Sequence, residues 1–217
     1  MFTSFRRHYL DRMLSAFDFS GDVLDVGGKK ENKKGAFRPP LERCTSWRYV
    51  NIDAGTKPDF LGSADALPVG AAEADCVLLA ETLEHLEFPE KALAEAARVL
   101  RPGGRVVLTV PFLFPVHADP YDFQRWTPEK FRRELARLGF AQIDVRPMGG
   151  LYAVIADCFE GYCQAHYVAG RPLGLGFRLV RKLFRALLVP YFLRRDEALP
   201  FRDAVTGGYF VTARRNP

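Results

Sequence analysis

The chain has 217 residues, 48% of them hydrophobic and 26% charged, with a formal net charge of +5. That balance is ordinary for a soluble globular protein, and the length suits one domain with an elaboration. No window offers the roughly 20 uninterrupted apolar residues that a spanning helix needs. The first 17 residues hold no apolar core long enough for a signal peptide, so a cytoplasmic location is expected. Internal repeats and low-complexity segments are absent. Cys44, Cys76, Cys158 and Cys163 show neither a CxxC pair nor a metal spacing, which reads as free thiols in a reducing compartment. No metal is expected.

Residues 2–17 can form an amphipathic helix, with Phe5, Tyr9, Met13 and Phe17 spaced by four; packing is its expected role. Residues 22–28, DVLDVGG, read as a first strand and its exit, where Gly27 and Gly28 would let a ligand approach the backbone closely. The basic run that follows, KKENKKGAFRPP, ends in Pro39-Pro40 and does not read as a helix. Residues 47–53 form a second strand ending at Asp53, the place where an acid accepts hydrogen bonds from ribose hydroxyls in dinucleotide-type folds. The stretch 58–67, PDFLGSADAL, leads on toward the next unit.

Residues 75–112 form a complete β-α-β unit. An apolar strand at 75–80 runs into a polar connection carrying Glu81, Thr82, Glu84 and His85. Residues 89–100 are helical, with Leu93, Ala96, Ala97 and Leu100 on one face. Pro102-Gly103-Gly104 stops that helix, and 105–110 is a second apolar strand. Strands joined this way lie parallel and buried on both faces. Ligands of such sheets sit outside the strands' carboxyl ends, which points to residues 81–85.

The segment 113–126 contains His117, Asp119, Asp122, Arg125 and Trp126. Thr127 followed by Pro128 predicts an N-cap and a helix over 127–138, which leaves 117–125 as a loop above the site. His117 there suits a general base and Asp122 a positioning carboxylate; the competing reading pairs Asp122 with Arg125 and lets His117 pack. A strand at 139–147 is broken by Met148-Gly149-Gly150, and 151–168 is an aromatic-rich helix. Residues 175–195 place Arg178, Arg181, Lys182 and Arg185 opposite Phe177, Val180, Phe184, Leu187, Leu188 and Tyr191, with Pro190 expected to end or kink the helix. That segregation fits an interfacial helix on an anionic membrane, and equally a packing helix, a dimer contact or a surface for an anionic substrate. The last strand, 207–213, is expected to pair antiparallel at the sheet edge.

The strand ending AETLEHL, the helix ending RVLRPGG and the strand VVLTVPF resemble the class I S-adenosylmethionine-dependent methyltransferases, in the group called type 11. The resemblance runs over about residues 23–140. The pattern His117-x-x-Pro120-x-Asp122-Phe123-x-Arg125-Trp126-Thr127 resembles members from bacterial cell-surface polysaccharide and glycolipid clusters. The resemblance implies a doubly wound, mostly parallel seven-stranded sheet within one methyltransferase domain over 1–217, with a helical insertion at 151–206 before the last strand. It implies S-adenosylmethionine as cofactor. Asp25, Gly27 and Gly28 would begin its loop, Asp53 would hold the ribose, Asp65 and Ala66 would flank the adenine, and Glu81 would lie beside the methionine portion. His117 and Asp122 would face the acceptor, a small molecule, a sugar or a lipid-linked compound. Lys29 and Glu31 stand where the family pattern has its second and third glycines. That departure motivates an alternative: a weak or inactive binding or scaffold protein on the same fold. A nucleic-acid acceptor is disfavoured, because AETL replaces the Asn/Asp-Pro-Pro-aromatic signature after the fourth strand. The oligomeric state is left open.

Overall fold

A computed structural model describes residues 4–31, 33, 35–117, 120–169, 174–196, 198 and 205–217. Seven strands form one sheet: β1 (Gly21–Val26), β2 (Cys44–Asn51), β3 (Phe60–Leu61), β4 (Ala74–Ala80), β5 (Leu100–Pro111), β6 (Phe140–Pro147) and β7 (Gly208–Arg215). Their order is β3-β2-β1-β4-β5-β7-β6. The first five are parallel, and β7 runs antiparallel to both β5 and β6. The chain winds outward from β1 to β3 and returns to β4 on the other side of β1. A crevice therefore opens between the carboxyl ends of β1 and β4, where the winding reverses.

The strands are apolar on both faces because both faces are covered. On one side, α2 (Pro89–Val99) brings Leu93, Ala96 and Val99, and α3 (Pro128–Arg137) brings Phe131 and Leu135, against Val77, Leu79, Val106 and Leu108. On the other, α1 (Phe5–Ala16) brings Phe5, Tyr9, Leu10 and Leu14, and α4 (Leu151–Val168) brings Ala153 and Ala156, against Val23, Leu78, Val107 and Phe210. Local signals set the helix starts. Ser4 Oγ accepts from Arg7 N at 3.1 Å, and Thr127 caps α3 ahead of Pro128.

Two expectations are corrected. The last strand is not at the edge: β7 lies between β5 and β6, and the edge strand is β6. Its burial explains the placement, since Gly208, Tyr209, Phe210 and Val211 are all buried while β6 has exposed residues along its length. Within 58–67 the third strand is short, Phe60–Leu61. Of the two outcomes expected at Pro190, an end or a kink, the end does not occur. The helix runs as α5 (Leu175–Leu183), a π-helical turn at Phe184–Leu188, and α6 (Val189–Asp196). Pro190 has no N–H to return to the preceding turn, and the wider turn accommodates the loss.

Two buried acids tie back the helices after β6: Asp157 of α4 accepts from Phe5 N at 2.7 Å and Arg6 N at 2.9 Å. Asp196 is fully buried and accepts from Tyr9 Oη at 2.9 Å, Gly150 N at 2.7 Å and Tyr152 N at 3.1 Å. It thereby satisfies donors at the start of α4 that have no partner within the helix.

Candidate functional site

The crevice is built from two strand exits pressed together. Gly27 has φ +85°, and its N donates to Val50 O at 2.8 Å. Thr82 Oγ1 donates to Val26 O at 3.1 Å, which joins the exits of β4 and β1. A Cβ on Gly27 would lie 2.7 Å from that hydroxyl, and one on Gly28 would lie 2.3 Å from Asp25 Oδ1. Neither position tolerates a side chain as the loop is built. Asn51 Nδ2 donates to the carbonyls of Gly27 and Gly28, at 3.1 and 3.0 Å.

Residues 27–40 include no helix among those described. The loop instead follows α1: Ala36 N donates to Asp11 Oδ2 at 2.7 Å, and Gly35, with φ +79°, packs against the same carboxylate. This path accounts for Lys29 and Glu31. A chain that does not turn into a helix here has no need of the further glycines that such a turn demands.

Asp25 is only 6% exposed. Trp47 Nε1 donates to its Oδ2 at 3.2 Å. Burial pushes its pKa up to about 6, with Lys33 pulling the other way. Glu81 follows β4 in a left-handed conformation, φ 55°, a costly backbone state for a residue with a long side chain. Its N donates to Thr109 O at 2.8 Å, Thr109 Oγ1 donates to its Oε1 at 3.1 Å, and Arg6 forms an ion pair with its Oε2. Arg6 is buried, with its guanidinium 4.1 Å from the centre of the Phe114 ring. Desolvation lowers its pKa to about 10, which leaves it charged at neutral pH.

A cavity of about 860 Å³ occupies this crevice, within the range of small-ligand sites. Asp25, Gly27 and Gly28 form one wall, Arg6, Arg7 and Asp11 of α1 a second, and Glu81, His85 and His117 a third. His117 comes from the loop before α3. Its N donates to Asp122 Oδ2 at 2.9 Å, and its Nδ1 lies 3.2 Å from Pro115 O and 3.3 Å from Asp122 Oδ2. Asp122 is in turn held by Arg125, which forms a short contact through Nη1 and donates from Nη2 at 2.7 Å. Those Arg125 bonds, above all, hold its pKa down at about 2. Burial lowers the pKa of His117 and raises that of Glu84.

The structure thus brings Asp25, Gly27, Gly28, Glu81 and His117 to one cavity. Asp122 sits behind His117, not in the cavity wall. Asp53, Asp65 and Ala66 are exposed and lie outside the described lining. Asp53 Oδ1 accepts from Gly55 N at 2.8 Å, and Asp65 stands in a turn bridged by Ser63 and Ala66. Asp119 lies outside the described residues. Arg6 and Asp11 line the cavity without being singled out by the sequence, whereas Glu84 belongs to the 81–85 stretch expected to meet a ligand and lies against His85 and His117, outside the described lining. A signal for Arg6 exists, since it lies four and eight residues before the buried Leu10 and Leu14, on the helix stripe that faces inward.

Residues 9–108 match the family described as a methyltransferase domain, type 11. An uncharacterized 37.1 kDa protein in a transposon of Streptomyces fradiae is 47% identical over 96% of this chain and 59% of its own length. The ubiquinone/menaquinone biosynthesis C-methyltransferase UbiE of Francisella tularensis subsp. novicida is 29% identical over 49% of this chain and 38% of its own. The chain therefore spans less than two thirds of either relative. Among solved structures, the [4+2]-cyclase SpnF superposes with a TM-score of 0.58 at 18% identity, covering 95% of this chain and 81% of that one. Phosphoethanolamine N-methyltransferase 2 of Haemonchus contortus, in complex with S-adenosylhomocysteine, does so at 0.56 and 15% identity, covering 98% and 53%. At such identities these two show the fold alone. Family match and strand order agree: residues 9–108 are similar to a methyltransferase domain, and the seven-stranded sheet is that of the Rossmann-like methyltransferase fold.

Proposed function

We propose that this chain transfers a methyl group from S-adenosylmethionine to an oxygen of a small, sugar or lipid-linked acceptor. One observation carries the reading: the cavity at the β1/β4 switch point has a buried carboxylate at the glycine loop and two imidazoles on the wall beyond Glu81. The residues fit the cofactor of this family. It carries positive charge at sulfur and at its amino group, and Asp11, Asp25 and Glu81 line the cavity. Its carboxylate finds Arg7 and Lys33 on the same walls. Asp53, at the carboxyl end of β2, is assigned to the ribose, and Asp65 with Ala66 to the adenine; their exposure leaves them free to take those contacts.

When bound, the cofactor supplies an electrophilic methyl group. The chain's part is to hold an acceptor oxygen in line with it and to ease loss of the hydroxyl proton at the His85–His117 wall. Burial keeps His117 neutral, with a lone pair to offer. Asp122 stays ionised and engaged with Arg125, so its role is to position His117 through the backbone N–H and the ring.

A lipid-linked acceptor is favoured by α5 and the turn after it. Leu175, Leu179, Leu183 and Leu187 recur every fourth residue and are all exposed. The basic face is smaller than its sequence implies, because Arg181 and Arg185 both bind Glu160 of α4. No helix of the described residues is long and apolar enough to cross a membrane.

Calorimetric titration with S-adenosylmethionine and S-adenosylhomocysteine tests the cofactor. A methyl-transfer screen with radiolabelled donor against nucleotide sugars, lipid extracts and RNA tests the acceptor. Binding together with label in a sugar or lipid fraction is expected. Absence of binding would favour the scaffold alternative, and label in RNA would overturn the acceptor class.

A further inference from the structure

We propose that Glu84, His85 and His117 bind one divalent transition-metal ion at the wall of the cavity. The site stands on its own geometry, and its task in catalysis rests on the methyl-transfer reading above.

Glu84 is 1% exposed, and neither of its carboxylate oxygens has a hydrogen-bond partner among the described residues. A buried carboxylate without donors is expensive to keep. The groups facing it do not supply donors. His85 Nε2 lies 3.7 Å and His117 Nε2 3.9 Å from Glu84 Oε1, both too far for a hydrogen bond. Each ring has its other nitrogen against a carbonyl: His85 Nδ1 is 2.5 Å from Tyr121 O, and His117 Nδ1 is 3.2 Å from Pro115 O. A carbonyl oxygen only accepts, so Nδ1 carries the proton and each neutral ring turns the lone pair of Nε2 toward Glu84. Of the nearby cations, Arg125 is paired with Asp122 and Arg6 forms its ion pair with Glu81; the charges of both act on Glu84, but neither gives its carboxylate a hydrogen bond.

Three electron-pair donors therefore converge within 4.8 Å of one another. A cation between them converts mutual repulsion into coordination. Ligating histidines are commonly held in this way, with the second nitrogen bonded to a carbonyl or carboxylate. Two imidazoles and one carboxylate suit zinc, iron(II), cobalt or nickel better than magnesium or calcium. Metal–ligand bonds of about 2.0–2.1 Å put ligand atoms about 3.0–3.4 Å apart, so the observed spacings close by side-chain rotation. His85 and His117 both line the cavity, so the remaining coordination positions face it. An acceptor hydroxyl bound there would lose its proton more readily. With the ion present, His117 is a ligand and acts on the acceptor through the metal.

The test uses the full chain stripped with a chelator. Co²⁺ and Zn²⁺ are titrated separately, followed by calorimetry and by the visible absorption of bound Co²⁺. One equivalent of Co²⁺, displaced by Zn²⁺, is expected. His85→Ala and His117→Ala should each weaken uptake at least tenfold, while His8→Ala, at an exposed position, should leave it unchanged. Should Glu84→Gln fail to fold, the two histidine variants decide. No uptake by the wild type, or uptake indifferent to both variants, would overturn the site. S-adenosylhomocysteine affinity is measured on the same samples: metal uptake without it removes only the catalytic task, and its binding without metal uptake removes only the metal site.

Discussion

Asp25 offers the sharpest test of how the cofactor loop is built. Its carboxyl is ionised at neutral pH in a place that resists ionisation, with a pKa raised from 3.8 to about 6 by burial. At about 1.36 kcal/mol per pH unit, that difference amounts to about 3 kcal/mol of lost stability at pH 7. The sign follows from proton uptake. Between pH 3.8 and 6 the folded chain holds this proton more tightly than the unfolded chain. The contribution is fully present below about pH 4, falls as pH rises, and is lost above about pH 6. Asp25→Asn keeps the shape and an oxygen to accept from Trp47 Nε1 but cannot ionise. Urea unfolding, followed by tryptophan fluorescence between pH 4 and 8, should show the two proteins equal near pH 4. The variant should gain steadily to pH 6, then stay about 2–3 kcal/mol more stable. The same variant should lose affinity for S-adenosylmethionine, whose positive charge offsets the buried carboxylate in the wild type. A variant no more stable than wild type at pH 8, or a difference that ignores pH, would refute the reasoning.

Asp53→Ala should weaken S-adenosylmethionine binding by about ten- to a hundredfold, the loss of one charge-assisted hydrogen bond, with stability almost unchanged because the side chain is exposed; calorimetry and thermal unfolding read the two effects. Arg6→Ala removes one partner of an ion pair whose side chains are 6% and 12% exposed. Stability should fall by about 3–5 kcal/mol in urea titrations, and the cavity should lose cofactor affinity with it. His117→Ala should lower kcat while leaving affinity for S-adenosylhomocysteine within about twofold, as expected for a group on the acceptor side. Sedimentation with anionic vesicles should carry the wild type down at low salt and release it as salt rises, with Leu179→Glu, Leu187→Glu abolishing the effect; a protein that stays in the supernatant at low salt removes the membrane contact.

Much of the fold was legible because its signals are local. The β4-α2-β5 unit announces itself through apolar runs, a helical period and a Pro-Gly-Gly stop, and Thr127-Pro128 marks the start of α3. What escaped was decided by distant partners. The place of β7 between β5 and β6 depends on which strands flank it, and a short apolar strand such as GYFVTA reads alike at an edge or inside. The chain's passage through Pro190 depends on a π-helical turn that tertiary packing of Phe184 on Phe159 holds in place. The apportioning of Arg181 and Arg185 was likewise invisible, since Glu160 lies more than twenty residues earlier on another helix.

The candidate site divides in the same way. Asp25, Gly27, Gly28 and Glu81 stand at strand ends, where position along the chain already implies position in space. Arg6 and Asp11 reach the cavity only because α1 lies over the crevice, and Glu84 meets His117 only because the loop before α3 folds back onto the turn after β4. That folding also explains why a three-residue donor set shows no metal spacing: His117 lies over thirty residues from His85, and the two segments are brought together by bonds from Phe123 N to Glu84 O at 2.8 Å, from Gln124 Nε2 to Leu86 O at 2.6 Å and between His85 Nδ1 and Tyr121 O at 2.5 Å. Under the proposed function one loop would serve both halves of the reaction. Its backbone bonds to Glu84, the carboxylate of the proposed metal site, and its histidine is the one assigned to the acceptor side under the proposed function. The turn it is pinned to begins with Glu81, which holds the α1 arginine against the cofactor wall. Motion of that loop would therefore be felt at the cofactor and at the acceptor together, which is why metal uptake and S-adenosylhomocysteine binding are best measured on the same samples.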